Sequence, residues 1–231
     1  MRKGELKKKE ILKTAESRFC RFGYESTSIQ EILDDLHTSK GSFYHHFVSK
    51  ESLLEEICRI RAESHYDTVL KWASDEPDPL KRINIFFSGM SPFSGEKLSF
   101  LMMILPVFLL TEGMRIRNCY EEALTDLYGA SVASAIQEAS EKRILACRNP
   151  EFSAHIALTI INHFWLAICD LILRNEQAGI KTDPSDLLRI AEEYRTVLER
   201  ILSAPFGSIE LIQLTDLQSI IDQIHLHWKT E

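Results

Sequence analysis

Two apolar stripes, Ile29, Ile32, Leu33 and Leu36, then Phe43 and Phe47, follow so closely that only a tight turn can join the helices carrying them. Ahead of the first stripe, Thr27 with Gln30 and Ser28 with Glu31 each fit a capping box, which predicts a helix over about 28–36. His37 and Thr38 form the break. Ser39 can cap a second helix over about 39–46, and at 100° per residue Phe43 and Phe47 share its buried stripe while Gly41, Ser42, Tyr44 and His45 point the other way. A glycine on that outward face costs about 1 kcal/mol of helix stability against alanine, a cost that suits a surface something must approach closely. Two short helices, a tight turn and a polar outer face on the second make a helix-turn-helix, the arrangement that enters the major groove of DNA.

At these positions the chain resembles the tetracycline-repressor (TetR) family of bacterial transcriptional regulators. The matching elements are Phe19, Gly23, Tyr24, Thr27, Ile29, Ile32, Ser39, Gly41, Phe43, Tyr44, His46, Phe47, Ser49, Lys50, Glu51 and Leu53, in the family's order and spacing. They cover about residues 6–54. Two departures stand out: His37 takes the place of the family's usual Gly, and Asp34 and Asp35 sit where Lys or Ala is common. His37 is strained if its φ is positive, and the acidic pair should lie off the DNA or weaken binding there. The chemistry and the match together suit Thr27, Ser28 and Lys50 to phosphates. Lys40, Ser42, Tyr44 and His45 are suited to the groove, with Lys40 able to reach guanine and Tyr44 a phosphate or a thymine methyl, while Gly41 lets the backbone come close, and the capping Ser39 counts among the DNA-binding residues. Phe19, Phe43 and Phe47 read as structural and His46 as inward support.

The chain of 231 residues is 45% hydrophobic, enough for a small recognition domain, 1–49, and a larger helical one, 50–231. Its net charge of −7 is not that of a simple nucleic-acid binder. The charge is unevenly placed, however: residues 1–50 carry 10 Lys and Arg against 7 Asp and Glu, and the remainder 17 against 27. Arg2, Lys3, Lys7, Lys8, Lys9 and Lys13 form a basic lead-in that either attracts phosphates or is simply a solvated end.

Helical periodicity continues throughout, over about 6–22, 28–36, 39–46, 50–73, 79–90, 95–111, 115–147, 151–176, 184–203 and 216–229, with 209–214 ambiguous. The last helix carries Leu217, Ile220, Ile221, Ile224 and Trp228 on one stripe and Thr215 with Gln218 as a capping box. The most apolar run, Leu98 to Leu110, contains Pro106 and at 13 residues falls short of a membrane span, which needs about 18, so it reads as a buried, kinked helix. Five cysteines, Cys20, Cys58, Cys119, Cys147 and Cys169, without a CxxC pair or a signal peptide, fit a reduced, cytoplasmic protein in which each packs as a small apolar residue. Cys20 stands out for cationic neighbours on both sides, Arg18 and Arg21.

The segment 151–176 is apolar nearly all round and must be covered on more than one side. The resemblance implies that it and 184–203 pair with their symmetry mates as a four-helix homodimer interface; a central helix of a monomeric bundle is the alternative. His155, Thr159, Asn162, His163 and Asp170 give it a polar stripe, open to three readings: hydrogen-bonded groups in an interface, the edge of an effector pocket, or a metal site, for which His155 and His163 lie two turns apart without further ligands. His225 and His227 face apart. The resemblance also implies a small-molecule effector, for which Phe86, Phe100, Met103, Phe108, Tyr120, Phe164 and Trp165 are aromatic or soft apolar candidates, most of which should simply be core. The acidic balance favours a neutral or cationic apolar ligand over an anion.

The sequence thus predicts an all-α, ligand-responsive DNA-binding regulator, a homodimeric repressor on a palindromic double-stranded operator, located in the bacterial cytoplasm at the nucleoid. No cofactor, metal or membrane partner is implied. An all-α enzyme with a helical scaffold would need a nucleophile with a base, a metal spacing, a phosphate-binding glycine loop or paired carboxylates, and none stands out. A DNA-binding dimer with a filled second domain is a further alternative.

Overall fold

A computed structural model describes residues 3–92, 97–109, 114–212, 217, 218, 220–222 and 224. The helices are α1 (Lys3–Phe22), α2 (Ile29–Asp35), α3 (Lys40–Tyr44), α4 (Lys50–Ser74), α5 (Pro79–Gly89), α6 (Lys97–Leu109), α7 (Met114–Glu141), α8 (Pro150–Gln177) and α9 (Pro184–Leu202), and no strand occurs among the described residues.

The caps explain most boundaries. Ser28, Ser39, Asp78, Asn149 and Asp183 each accept a first-turn amide with their side chain, and α5, α8 and α9 begin with a proline, whose fixed φ suits a first turn. Ser28 with Glu31 is the capping box of α2. Thr27, which fits the same pattern in sequence, is buried instead with its hydroxyl on Gly23 O at 2.8 Å.

Four helix ends share one device. After α2, His37 at φ 45° lets its amide reach Asp34 O and the amide of Thr38 reach Leu33 O, which closes the tight turn of the helix-turn-helix. The same pair of bonds ends α7 at Arg143, α8 at Gly179 and α9 at Ser203. The helix expected over 115–147 therefore stops at Glu141: Arg143 turns left-handed at φ 59°, and Ile144 N bonds Ala139 O at 2.8 Å.

The chain divides into two compact units. The first comprises residues 1–63 and 94–120. Its core joins Ile11, Ala15 and Phe19 of α1, Ile32 and Leu33 of α2, Phe43, Phe47, Leu53 and Ile57 to Phe100, Met103, Ile104 and Val107 of α6. α6 runs helical through Pro106.

The second unit comprises 64–93 and 121–231. α8 is long and apolar enough to cross a membrane, but more than half of that stretch is buried within the protein. It packs on α9, and its Asn162 amide donates to Glu121 O and Thr125 Oγ1 of α7, both at 3.3 Å. α4 and α5 cross closely at Gly89, where a Cβ would lie 2.6 Å from Val69 Cγ1. Residues 204–212 are not helical. They are strapped to the unit by Asn84, which donates to Ser208 O and accepts from Glu210 N, and by the buried Glu199, which accepts from Ile209 N. Ile209, Leu211, Leu217, Ile220, Ile221 and Ile224 are buried there. Thr215, His225, His227 and Trp228 lie outside the described residues.

Candidate nucleic-acid interface

The position of α3 follows from Phe43 within it and Phe47 just beyond its end. Phe43 is fully buried and Phe47 nearly so, their rings 5.7 Å apart, and Phe47 N bonds Phe43 O at 2.9 Å. With that stripe inward, Ser39, Lys40, Gly41, Tyr44 and His45 are exposed and Ser42 is half-buried. Tyr44 keeps 55% of its surface open although it is a large aromatic, with its ring edge-on to Phe43. Ser39 Oγ accepts Ser42 N at 3.3 Å, so the cap uses that hydroxyl in the free protein.

A Cβ built on Gly41 meets only Ser39 Oγ, at 3.8 Å. No internal packing demands glycine there. His46 is half-buried beside Gly4 of α1, and burial first, then His45 and Lys8, lower its pKa.

Two residues expected at phosphates are otherwise engaged. Thr27 spends its hydroxyl on Gly23 O and its amide on Tyr24 O. Lys50 Nζ donates to Tyr24 O at 2.8 Å and Thr27 O at 3.0 Å and lies 4.2 Å from the centre of the Tyr24 ring. Ser28 remains exposed, with its hydroxyl and amide on Glu31.

Sequence reading missed the clasp that positions α2. Arg18 of α1 donates to Asp35 at 2.6 Å and to Glu31 at 3.2 Å, so Asp35 turns toward α1, and Asp34 accepts from Gln30. The available signal was a long-range charge complement, which fixed-offset patterns do not show. In the basic lead-in, Lys7 pairs with Glu10 and Lys8 with Glu56, whereas Lys9 and Lys13 are exposed; Arg2 and the Lys3 side chain lie outside the described residues. Cys20 does not gain from its arginines: burial and Glu16 raise its thiol pKa to about 11.

The effector candidates do not gather in one unit. Phe100, Met103 and Tyr120 belong to the core that holds the helix-turn-helix. Phe86, Phe164 and Trp165 are buried in the second unit, where Phe164 lies 4.7 Å from Trp165 and 5.4 Å from Tyr194, ring centre to ring centre. The Phe108 side chain lies outside the described residues. The polar stripe of α8 also divides. Asn162 turns inward to α7, whereas His155, Thr159 and His163 are exposed beside Phe152, and His163 stacks on Tyr194 of α9 and hydrogen-bonds its hydroxyl. Among the described residues no group of three or more His, Cys, Asp or Glu is arranged to hold a metal.

Comparison with known proteins places this geometry. Residues 11–57 match the family model for bacterial regulatory proteins, tetR family. The uncharacterized HTH-type transcriptional regulator YerO of Bacillus subtilis is 48% identical over 52 residues, 22% of this chain and 18% of that protein. The HTH-type transcriptional repressor KstR2 of Mycolicibacterium smegmatis is 40% identical over 50 residues, 22% of this chain and 24% of that one. The chain therefore covers about a fifth to a quarter of these curated relatives' length. Over most of its length it has the fold of a transcriptional regulator, FadR from Bacillus subtilis, solved with stearoyl-CoA: TM-score 0.54 at 15% identity, covering 85% of this chain and 98% of that one.

Proposed function

We propose that the chain, whose residues 11–57 match the family model for bacterial regulatory proteins, tetR family, is a homodimeric, ligand-responsive transcriptional repressor of that family that binds a palindromic DNA operator in the bacterial cytoplasm. The observation that carries this reading is α3, anchored by Phe43 and Phe47 while Lys40, Gly41, Tyr44 and His45 stand exposed on its other side. In the proposal residues 1–49 read DNA and 50–231 dimerise and bind effector. Lys40, Ser42, Tyr44 and His45 meet base edges, Gly41 admits the backbone, and Ser28 and Ser39 meet phosphates at the rims.

The dimer forms through α8 and α9. The support is an apolar and aromatic exposure on those helices: Phe152 is 62% exposed and Val197 44%. The effector is an apolar small molecule taken up in the second unit, near Phe86, Phe164 and Trp165; the rings of Phe164 and Trp165, 4.7 Å apart, would offer it apolar and stacking contacts. Selecting bound sequences from random duplex DNA tests the reading of DNA. The mass of the protein in solution tests the dimer, and raised melting temperature with apolar ligands tests the effector.

A further inference from the structure

We propose that this chain binds DNA together with protons: the adjacent imidazoles of His45 and His46 take up protons against the phosphate backbone, so that the grip on a duplex tightens as pH falls through neutrality. The inference rests on the DNA-binding reading above and adds a chemical signal to it.

Two imidazoles and an ammonium gather where α3 ends. The rings of His45 and His46 meet edge-on with their centres 4.9 Å apart. Phe47, buried, fixes the place: its ring centre lies 6.4 Å from that of His46 and 5.8 Å from the Lys8 ammonium of α1. His45 is exposed, and His46 is half-buried beside Gly4 of α1. The charges on the surrounding elements are Lys8 and, a turn earlier, Glu5 on α1, and Lys50 with Glu56 on α4. Glu56 accepts from Lys8 at 2.6 Å and from Arg59, so its carboxylate already serves two other cations.

An imidazole ordinarily titrates near 6.5. A ring that shares its surroundings with an ammonium and a second imidazole is harder to charge, because like charges repel and burial removes water. His46 shows the effect: burial first, then His45 and Lys8, lower its pKa. A phosphate backbone reverses the sign of that field. Duplex DNA carries one negative charge per about 1.7 Å of its axis, and His45 stands on the outward side of α3 that the DNA reading turns to the groove. The bound state therefore holds more protons than the free one, and affinity rises as pH falls, by up to about tenfold per pH unit for each proton taken up. A complex of two copies counts the pair twice. His37, in the turn before α3, is the other histidine of the first unit and serves as the control.

The test uses the full chain and the duplex it selects from random DNA. At fixed salt, affinity should rise on the order of tenfold from pH 7.5 to pH 6, a fraction of what two linked protons can give. The double variant His45→Gln with His46→Gln, neutral at both pH values, should lose most of that rise, whatever affinity it retains. His37→Asn, a residue that tolerates the left-handed turn, should keep it. Equal wild-type affinity at both pH values, a rise that survives in the double variant, or one that vanishes with His37→Asn overturns the proposal. The imidazole resonances of the wild type give an independent reading: followed against pH, those of His45 and His46 should have higher midpoints in the complex than in the free protein, and unchanged midpoints overturn it. A wild type that selects no duplex at either pH removes the DNA-binding reading and this proposal with it, whereas binding that ignores pH removes this proposal alone.

Discussion

Arg18 of α1 and Asp35 of α2 meet at 2.6 Å, and the same guanidinium reaches Glu31 at 3.2 Å. Asp35 is thus held by a residue of α1. Arg18→Ala should loosen α2 and lower the melting temperature of the first unit, with Asp35→Ala doing so less because Glu31 remains as a partner. Both losses should shrink as salt rises, since the pairs are at the surface. A melting series in salt checks this; losses that grow with salt would mean the clasp does not act through charge.

A Cβ at Gly41 would meet Ser39 Oγ at 3.8 Å, an ordinary contact that forces nothing to move. Gly41→Ala should therefore leave the free protein as stable or stabilise it by up to about 1 kcal/mol. Affinity for the selected duplex should fall, because the added methyl stands on the face proposed to meet DNA. Denaturation and binding measured on one preparation separate the two effects; unchanged affinity would remove Gly41 from the interface.

Glu56 gives the first unit an acid-sensitive contact. Hydrogen bonds from Arg59 first, then Lys8, outweigh burial and hold its carboxyl down to about 2. The unfolded value is about 4.3. A depressed folded value adds stability above the unfolded one and loses it as pH falls from about 4.3 toward about 2. Glu56→Gln should thus be less stable than wild type at pH 7, with the difference closing across that window. A gap that stays constant with pH would mean the contribution is not ionic.

Much of this was legible in the sequence because the signals are local. The spacing of Phe43 and Phe47, the cap at Ser39 and the box from Ser28 to Glu31 lie within four residues, and the structure keeps all three. The end of α7 was not legible: its left-handed residue is Arg143, and of the four helix ends closed this way only that of α8 uses glycine. Nor were the long-range pairs. Arg18 with Asp35 and Lys50 with Tyr24 join residues 17 and 26 apart, and nothing in the spacing of one chain marks them. The candidate aromatics could not be sorted either, since Phe100 and Phe164 read alike in sequence yet belong to different compact units.

Lys40 and Ser28 should separate by their effect on specificity. Lys40→Ala, if the side chain reads a base edge, should cost about 1–3 kcal/mol at one position of the site and relax preference there. Ser28→Ala should weaken all sequences evenly. Competition binding with single-base variants of the selected duplex reads both, and a uniform loss from Lys40→Ala would move it to the backbone.

The central claim is that α3 of two copies reads a two-fold symmetric site. Selection of bound sequences from random duplex DNA by the full-length protein at moderate salt tests it most directly. The account expects enrichment of an inverted repeat, lost when Tyr44 and Lys40 are both replaced by alanine. Enrichment of no repeat, or of the same repeat by that double variant, would contradict it.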